Sequence, residues 1–159
     1  MLKINRFRLG TKNICIIAIN SCRLESKENA GYGYVGTDQL RKIKEYMDKN
    51  STGIDYTIAL LHHHVLPVNY IEDYDPKSKH ISMLLDAEAT IRVLAASGVN
   101  AILHGHQHQP YYSVLRRIIP DYIHNGSKIF LDKKINIIGG GSIGVSQEKV
   151  NSIGRNRYN

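Results

Sequence analysis

Three short apolar runs separated by two amphipathic segments constrain this chain more than any other feature. Residues 13–20 (NICIIAIN), 56–61 (YTIALL) and 99–103 (VNAIL) are brief and rich in β-branched side chains, as buried strands are. Between the first two, Gly36-Thr37 opens a segment in which Leu40, Ile43, Tyr46 and Met47 recur at helical spacing. Thr37 is placed to cap that helix, Asp38 sits in its first turn where the helix dipole favours an anion, and Asn50 lies near its end. Between the second and third runs, residues 83–97 put Leu84, Leu85, Ala87, Ile91, Leu94 and Ala95 mostly on one face, and Gly98 follows as a C-terminal glycine. Strand, helix, strand, helix, strand implies βαβ crossovers, hence an α/β domain with a largely parallel stretch of sheet. The pattern then changes. Residues 111–119, 127–131 and 134–138 read as short strands of a β-meander, with turns at Asp121, Asn125-Gly126 and Asp132-Lys133. Residues 21–34 and 65–80 read as loops. The glycine run 139–144 is a loop and not a P-loop, because no Lys-Ser/Thr follows.

A chain of 159 residues, 42% hydrophobic and 22% charged, suits one soluble domain with its own core. No apolar run approaches the ~18 residues that span a bilayer, and residues 14–19 are too short for a signal peptide. A cytoplasmic protein without membrane contact is therefore expected. Cys15 lies inside an apolar run and reads as an inert buried thiol, and its spacing to Cys22 fits no common zinc motif. The net charge of +7 attracts anions such as phosphorylated metabolites or nucleic acid. The basic residues are scattered, however, and Arg41, Lys42 and Lys44 belong to the solvated face of the first helix, so charge gives only weak support for nucleic acid.

The chemistry lies in the histidines. The second apolar run ends in His62-His63-His64, and the third in His104-Gly105-His106-Gln107-His108. Imidazole is the commonest metal ligand and coordinates when neutral. Residues two apart in an extended loop share a side, so His106 and His108 can reach one site, and His62 is the first residue past its strand. His62, His106 and His108 are the candidate metal ligands. His63 is expected to point away from His62 and His64 to lie on the near side; both read first as surface or hydrogen-bonded histidines, with a role as outer neighbours of the metal as the alternative. His104 either lines the site or packs beneath it. His80 and His124 read as surface residues. Three imidazoles alone are compatible with a single catalytic zinc.

The segments LLHHHVLP (60–67) and ILHGHQHQP (102–110), with DAEATIRVLAASGVNA between them, resemble the C-terminal half of the calcineurin-like metallophosphoesterase family. IAINSC with GYGYVGTDQL resembles the strand, loop and helix just upstream, and GGGSIGVSQEK the region after the ligands, so the resemblance covers roughly residues 13–159. It implies the C-terminal portion of a four-layer α/β/β/α sandwich and a dinuclear site for Mn, Fe, Zn or Ni, whose bridging hydroxide attacks phosphorus in line. By resemblance, His62 and His106 bind one metal and His108 the other, and Asn20 and Ser21 have no ligand role. The resemblance implies a phosphomonoester or phosphodiester of a small molecule or nucleotide as substrate, without singling one out.

The first half of that family carries an Asp-x-His, a Gly-Asp with a bridging Asp, and a Gly-Asn-His-Asp/Glu. None occurs here, so the carboxylates that offset the repulsion between two dications, and the leaving-group histidine, are not in this sequence. Residues 1–159 are therefore expected to be a single partial domain, inactive alone. As a fragment, or as half of a split enzyme, it is expected to self-associate or to pair with a complementing N-terminal half, because a half-domain leaves apolar surface uncovered. The alternative is a non-catalytic basic α/β binding module with a vestigial metal site.

Overall fold

The computed structural model describes residues 1–24, 32–67, 83–105, 110–122 and 128–140. In chain order the elements are β1 (Lys3–Leu9), β2 (Lys12–Ala18), α1 (Thr37–Asn50), β3 (Tyr56–Leu61), α2 (Ala87–Ala96), β4 (Ala101–His104), β5 (Tyr111–Tyr122) and β6 (Lys128–Gly139). They form one six-stranded sheet in the order β1-β2-β3-β4-β6-β5. β2, β3, β4 and β6 run parallel, and antiparallel β1 and β5 close the two edges. The two expected crossovers, through α1 and α2, are present.

Directly paired residues share a face of a sheet. The row Ile17–Ala59–Ile102–Ile137 crosses four strands, and each member is 0% exposed. Leu40, Ile43 and Met47 of α1 join this row, with Ile91, Leu94 and Ala95 of α2, in one core. Helical spacing marked these α1 and α2 residues in the sequence, and the strands were marked as apolar runs; the two-residue period of the strands and the 3.6-residue period of the helices present complementary stripes. The opposite face carries the row Ala18–Leu60–Leu103–Ile138–Tyr112. Its last two members are 38% and 65% exposed, and Phe7 on β1 is 44% exposed. Among the described residues the architecture is thus helices on one side of a sheet whose other side keeps large apolar groups in solvent.

Several expectations need correction. The N-terminal residues form β1, which returns into β2 through the two-residue turn Gly10-Thr11, with Gly10 at φ +60. The meander of three short strands is instead one hairpin of two 12-residue strands. Asp132-Lys133 looked like a turn, but Asp132 pairs with Ile118 inside the ladder, and its carboxylate accepts from Arg116 Nε at 2.8 and 2.7 Å. A solvated cross-strand ion pair carries the same composition as a turn. Thr37 does not cap α1. Gly36, at φ +85, holds that position, and its N–H and that of Val35 donate to the Asp86 carboxylate at 2.8 and 3.1 Å. Nor does α2 begin at Met83. The backbone of 83–85 is drawn into extended bridges, with Leu84 N–H on His64 O (2.9 Å), Met83 O on Gly33 N–H (3.0 Å) and Leu85 N–H on Gly33 O (2.8 Å). Leu85 is consequently 59% exposed and not part of the core. Gly98 does end the helix as expected, at φ +74, followed by Val99 N–H on Leu94 O at 3.0 Å.

Candidate metal centre

Parallel strands bring their carboxyl ends to one edge, where open α/β sheets bind ligands. Leu61 at the end of β3 lies opposite His104 at the end of β4. One residue further, Gly105 N–H donates to His62 O at 3.2 Å, so the two histidine-bearing segments leave the sheet side by side. β2 arrives at the same edge. Ile19 N–H extends the ladder to Leu60 O at 2.8 Å. The buried amide of Gln39 then fixes Asn20, accepting its N–H at 3.2 Å and donating to its carbonyl at 2.8 Å and to Val35 O at 2.7 Å. A buried amide with its donors and acceptor engaged holds a backbone in place at little desolvation cost.

Ser21 is the keystone of this edge. Its Oγ accepts the backbone N–H groups of His62 and His63 at 3.2 and 3.3 Å and lies 2.9 Å from His63 Nδ1. Beyond it, Cys22 N–H donates to Asn20 Oδ1 at 3.0 Å. The Cys22 thiol and one ring nitrogen from each of His62 and His63 then all lie within 4.8 Å of one another. Among the described residues this is the group of three that can hold a metal ion. One thiol and two imidazoles make a donor set suited to zinc-class cations.

His62 is exposed and first past its strand, as expected. His63 does not point away from it. The chain bends at 62–63, the period of two ends with the strand, and the rings meet edge to face at 5.0 Å between centroids. His63 is fully buried. Gly33 lies against its ring, and a Cβ at Gly33 would stand 2.4 Å from His63 Cγ. His64 and His104 are both buried and pack against each other, centroids 4.4 Å apart at 61°. His106, His108, His80 and His124 lie outside the described residues. Sequence reasoning passed over Cys22. Only the parallel register of β2 and β3, pairing Ala18 with Leu60, brings it alongside the histidines. The other cysteine, Cys15, is 0% exposed, and burial pushes its thiol pKa up, in line with an inert core thiol.

Burial lowers the His104 pKa below 6.5, with a backbone hydrogen bond to Gly105 opposing weakly. The folded state thus holds His104 neutral where the unfolded chain would protonate it. Its contribution to stability is present above the unfolded pKa near 6.5 and is lost as pH falls from there through the lower folded value. Urea unfolding midpoints of the metal-free protein are expected to fall as pH drops from 7.5 to 5, and to fall less in His104→Gln.

The parallel strands of this α/β sheet thus bring two imidazoles and a thiol together at one edge, in a group that could hold a metal ion. Over 81 residues, 49% of its length, the chain is 35% identical to the 3′,5′-cyclic adenosine monophosphate phosphodiesterase CpdA of Haemophilus influenzae. Those residues are 26% of that protein, so the chain spans about a quarter of the relative it matches. No family model matches the chain. Two solved structures are similar at lower identity. A candidate 5′-nucleotidase from Staphylococcus aureus gives a TM-score of 0.41 at 10% identity over 96% of this chain and 32% of that one. GAP50, the anchor in the inner membrane complex of Plasmodium, gives 0.48 at 14% identity over 92% and 38%. Among the described residues no helix is long and apolar enough to cross a membrane.

Proposed function

We propose that residues 1–159 are a single partial domain of a calcineurin-like metallophosphoesterase, which hydrolyses phosphomonoester or phosphodiester bonds of a nucleotide-sized substrate. One observation carries the reading: β3 and β4 release their histidine segments side by side, locked by the Gly105–His62 hydrogen bond. His62, His106 and His108 are the proposed ligands of a dinuclear centre. His63, which lies against Ser21, and the His64–His104 pair are proposed as its outer neighbours. Divalent metals bound there supply Lewis-acid activation of water and of phosphoryl oxygens. The similarity to a cyclic-nucleotide phosphodiesterase favours a nucleotide phosphodiester over other substrates.

The test is hydrolysis of a chromogenic phosphodiester and phosphomonoester with Mn²⁺, beside His106→Ala. The chain is expected to bind Mn²⁺, to turn over little substrate by itself, and to lose whatever turnover it has in the variant. Absence of Mn²⁺ binding, or turnover that survives the substitution, overturns the reading. One observation favours a second reading, a non-catalytic module with a residual metal site: the metal-ligating group among the described residues contains no carboxylate.

The apolar sheet face completes the proposal. In a four-layer α/β/β/α arrangement a second sheet covers the row Ala18–Leu60–Leu103–Ile138–Tyr112. For this chain by itself the occupant is a second copy, which removes Tyr112, Ile138 and Phe7 from water. Light scattering is expected to show dimers forming as concentration rises, and Leu103→Lys to suppress them. A monodisperse monomer that binds no hydrophobic dye at high concentration counts against this.

A further inference from the structure

We infer that Cys22, His62 and His63 form a site for one zinc-class cation, with an open fourth position, distinct from a centre built on His62, His106 and His108. Tetrahedral coordination with Zn–S near 2.3 Å and Zn–N of 2.0–2.1 Å sets the donor atoms roughly 3.3–3.7 Å apart. Here the three donors already lie within 4.8 Å of one another without a metal. Closing the gap takes about 1 Å of side-chain movement, and of the three members Cys22 is partly exposed and His62 exposed. His63 is the fixed member, fully buried, with Nδ1 at Ser21 Oγ and Gly33 against its ring.

The backbone holds the three together before any metal arrives. Tyr34 N–H donates to Ser21 O at 2.8 Å, Cys22 N–H to Asn20 Oδ1 at 3.0 Å, and Ser21 Oγ takes the N–H groups of both histidines. A site that loses little conformational freedom on binding keeps more of its interaction energy as affinity.

The donor chemistry selects the ion. A thiolate with two imidazoles prefers zinc or copper over manganese or magnesium, which favour oxygen. Uptake displaces the thiol proton, so about one proton leaves for each metal bound. The site stands on the Cys22 geometry and not on the phosphoesterase reading. Only its consequence depends on that reading: zinc held by Cys22 withdraws His62 from the other centre, so the two sites compete.

Cobalt(II) in place of zinc tests it, because a thiolate–cobalt bond gives a near-ultraviolet charge-transfer band that imidazole and carboxylate sites lack. The folded chain is expected to develop the band to about one cobalt per chain, with zinc bleaching it and manganese leaving it intact. Cys15→Ala and His106→Ala keep the band, Cys22→Ser loses it, and His62→Ala weakens cobalt binding at least about 100-fold. No band in a protein with native circular dichroism, or a band that persists in Cys22→Ser, overturns the inference. A chain that shows the band but no phosphoesterase chemistry keeps this site while losing the proposed function.

Discussion

His62→Ala lowers affinity for zinc and for manganese at least about 100-fold, while the melting temperature of the metal-free protein moves by no more than about 2 °C. The two halves of this result come from different properties of one residue. His62 belongs to both proposed metal groups, one with His106 and His108 and one with Cys22 and His63, so its imidazole is the donor they share. Losing an outer partner of a metal ligand already costs 10–100-fold, and losing a ligand reaches at least the top of that range. Stability is spared because the ring is exposed. Two backbone contacts of His62 also knit the edge together, its N–H on Ser21 Oγ and its carbonyl to Gly105 N–H, and both survive truncation at Cβ, which removes the ring that stands edge to face with His63. Exposed substitutions cost about 0.5 kcal/mol or less, and a chain this long moves ~2–4 °C per kcal/mol. Calorimetric metal titration and a thermal melt on one sample check both halves. Unchanged affinity for both metals removes His62 from every site proposed here, and a collapsed melting temperature assigns it to folding instead.

The α/β core was legible because its signals are local. Cys15, Ile17, Ala59 and Ile102 alternate along strands, and Leu40, Ile43 and Met47 recur along a helix, so each burial pattern can be read within a few residues. The misreadings share a physical cause, a polar or turn-forming residue held by something distant in sequence. Asp132 reads as a turn until Arg116 stands across from it, and Met83 reads as helix until His64 and Gly33 claim its neighbourhood. The site was half legible for the same reason. Histidines at strand ends are visible in one segment at a time, and two such segments suggest convergence. Cys22 could not be found this way, because its partnership depends on β2 lying parallel to β3 in a particular register, which no periodicity encodes. Nor does the sequence show that Ser21 accepts two histidine N–H groups or that Gln39 buries its amide to fix Asn20. Ser21 stands in a segment that reads as loop, and Gln39 is a polar residue on a helix whose apolar stripe does not include it.

Gly33→Ala is expected to destabilise the protein by about 1–3 kcal/mol and to lower the melting temperature by about 2–12 °C. The added methyl would stand 2.4 Å from His63 Cγ, 2.6 Å from its Cβ and 2.7 Å from its Nδ1, well inside van der Waals contact. Neither side can yield easily. Gly33 is held on both sides, with its N–H on Met83 O at 3.0 Å and its carbonyl taking Leu85 N–H at 2.8 Å. His63 has no solvent to retreat into and sits with Nδ1 at 2.9 Å from Ser21 Oγ. Relief requires either breaking the bridge that ties residue 33 to Met83 or swinging the imidazole off Ser21, and the second route also breaks up the Cys22–His62–His63 group. The stability loss should therefore come with loss of zinc affinity. Gly105→Ala is the control, because a Cβ there meets nothing within 4 Å among the described residues, and its melting temperature should stay close to that of the unmodified chain. The double variant Gly33→Ala/His63→Ala decides the cause. If collision with the imidazole is the mechanism, removing the ring makes the room the methyl needs, and the penalty at position 33 shrinks by most of its value in a double-mutant cycle. If the penalty is the same with and without the ring, the strain lies in the backbone of the 33–83 bridge, and His63 is not what requires glycine at this position.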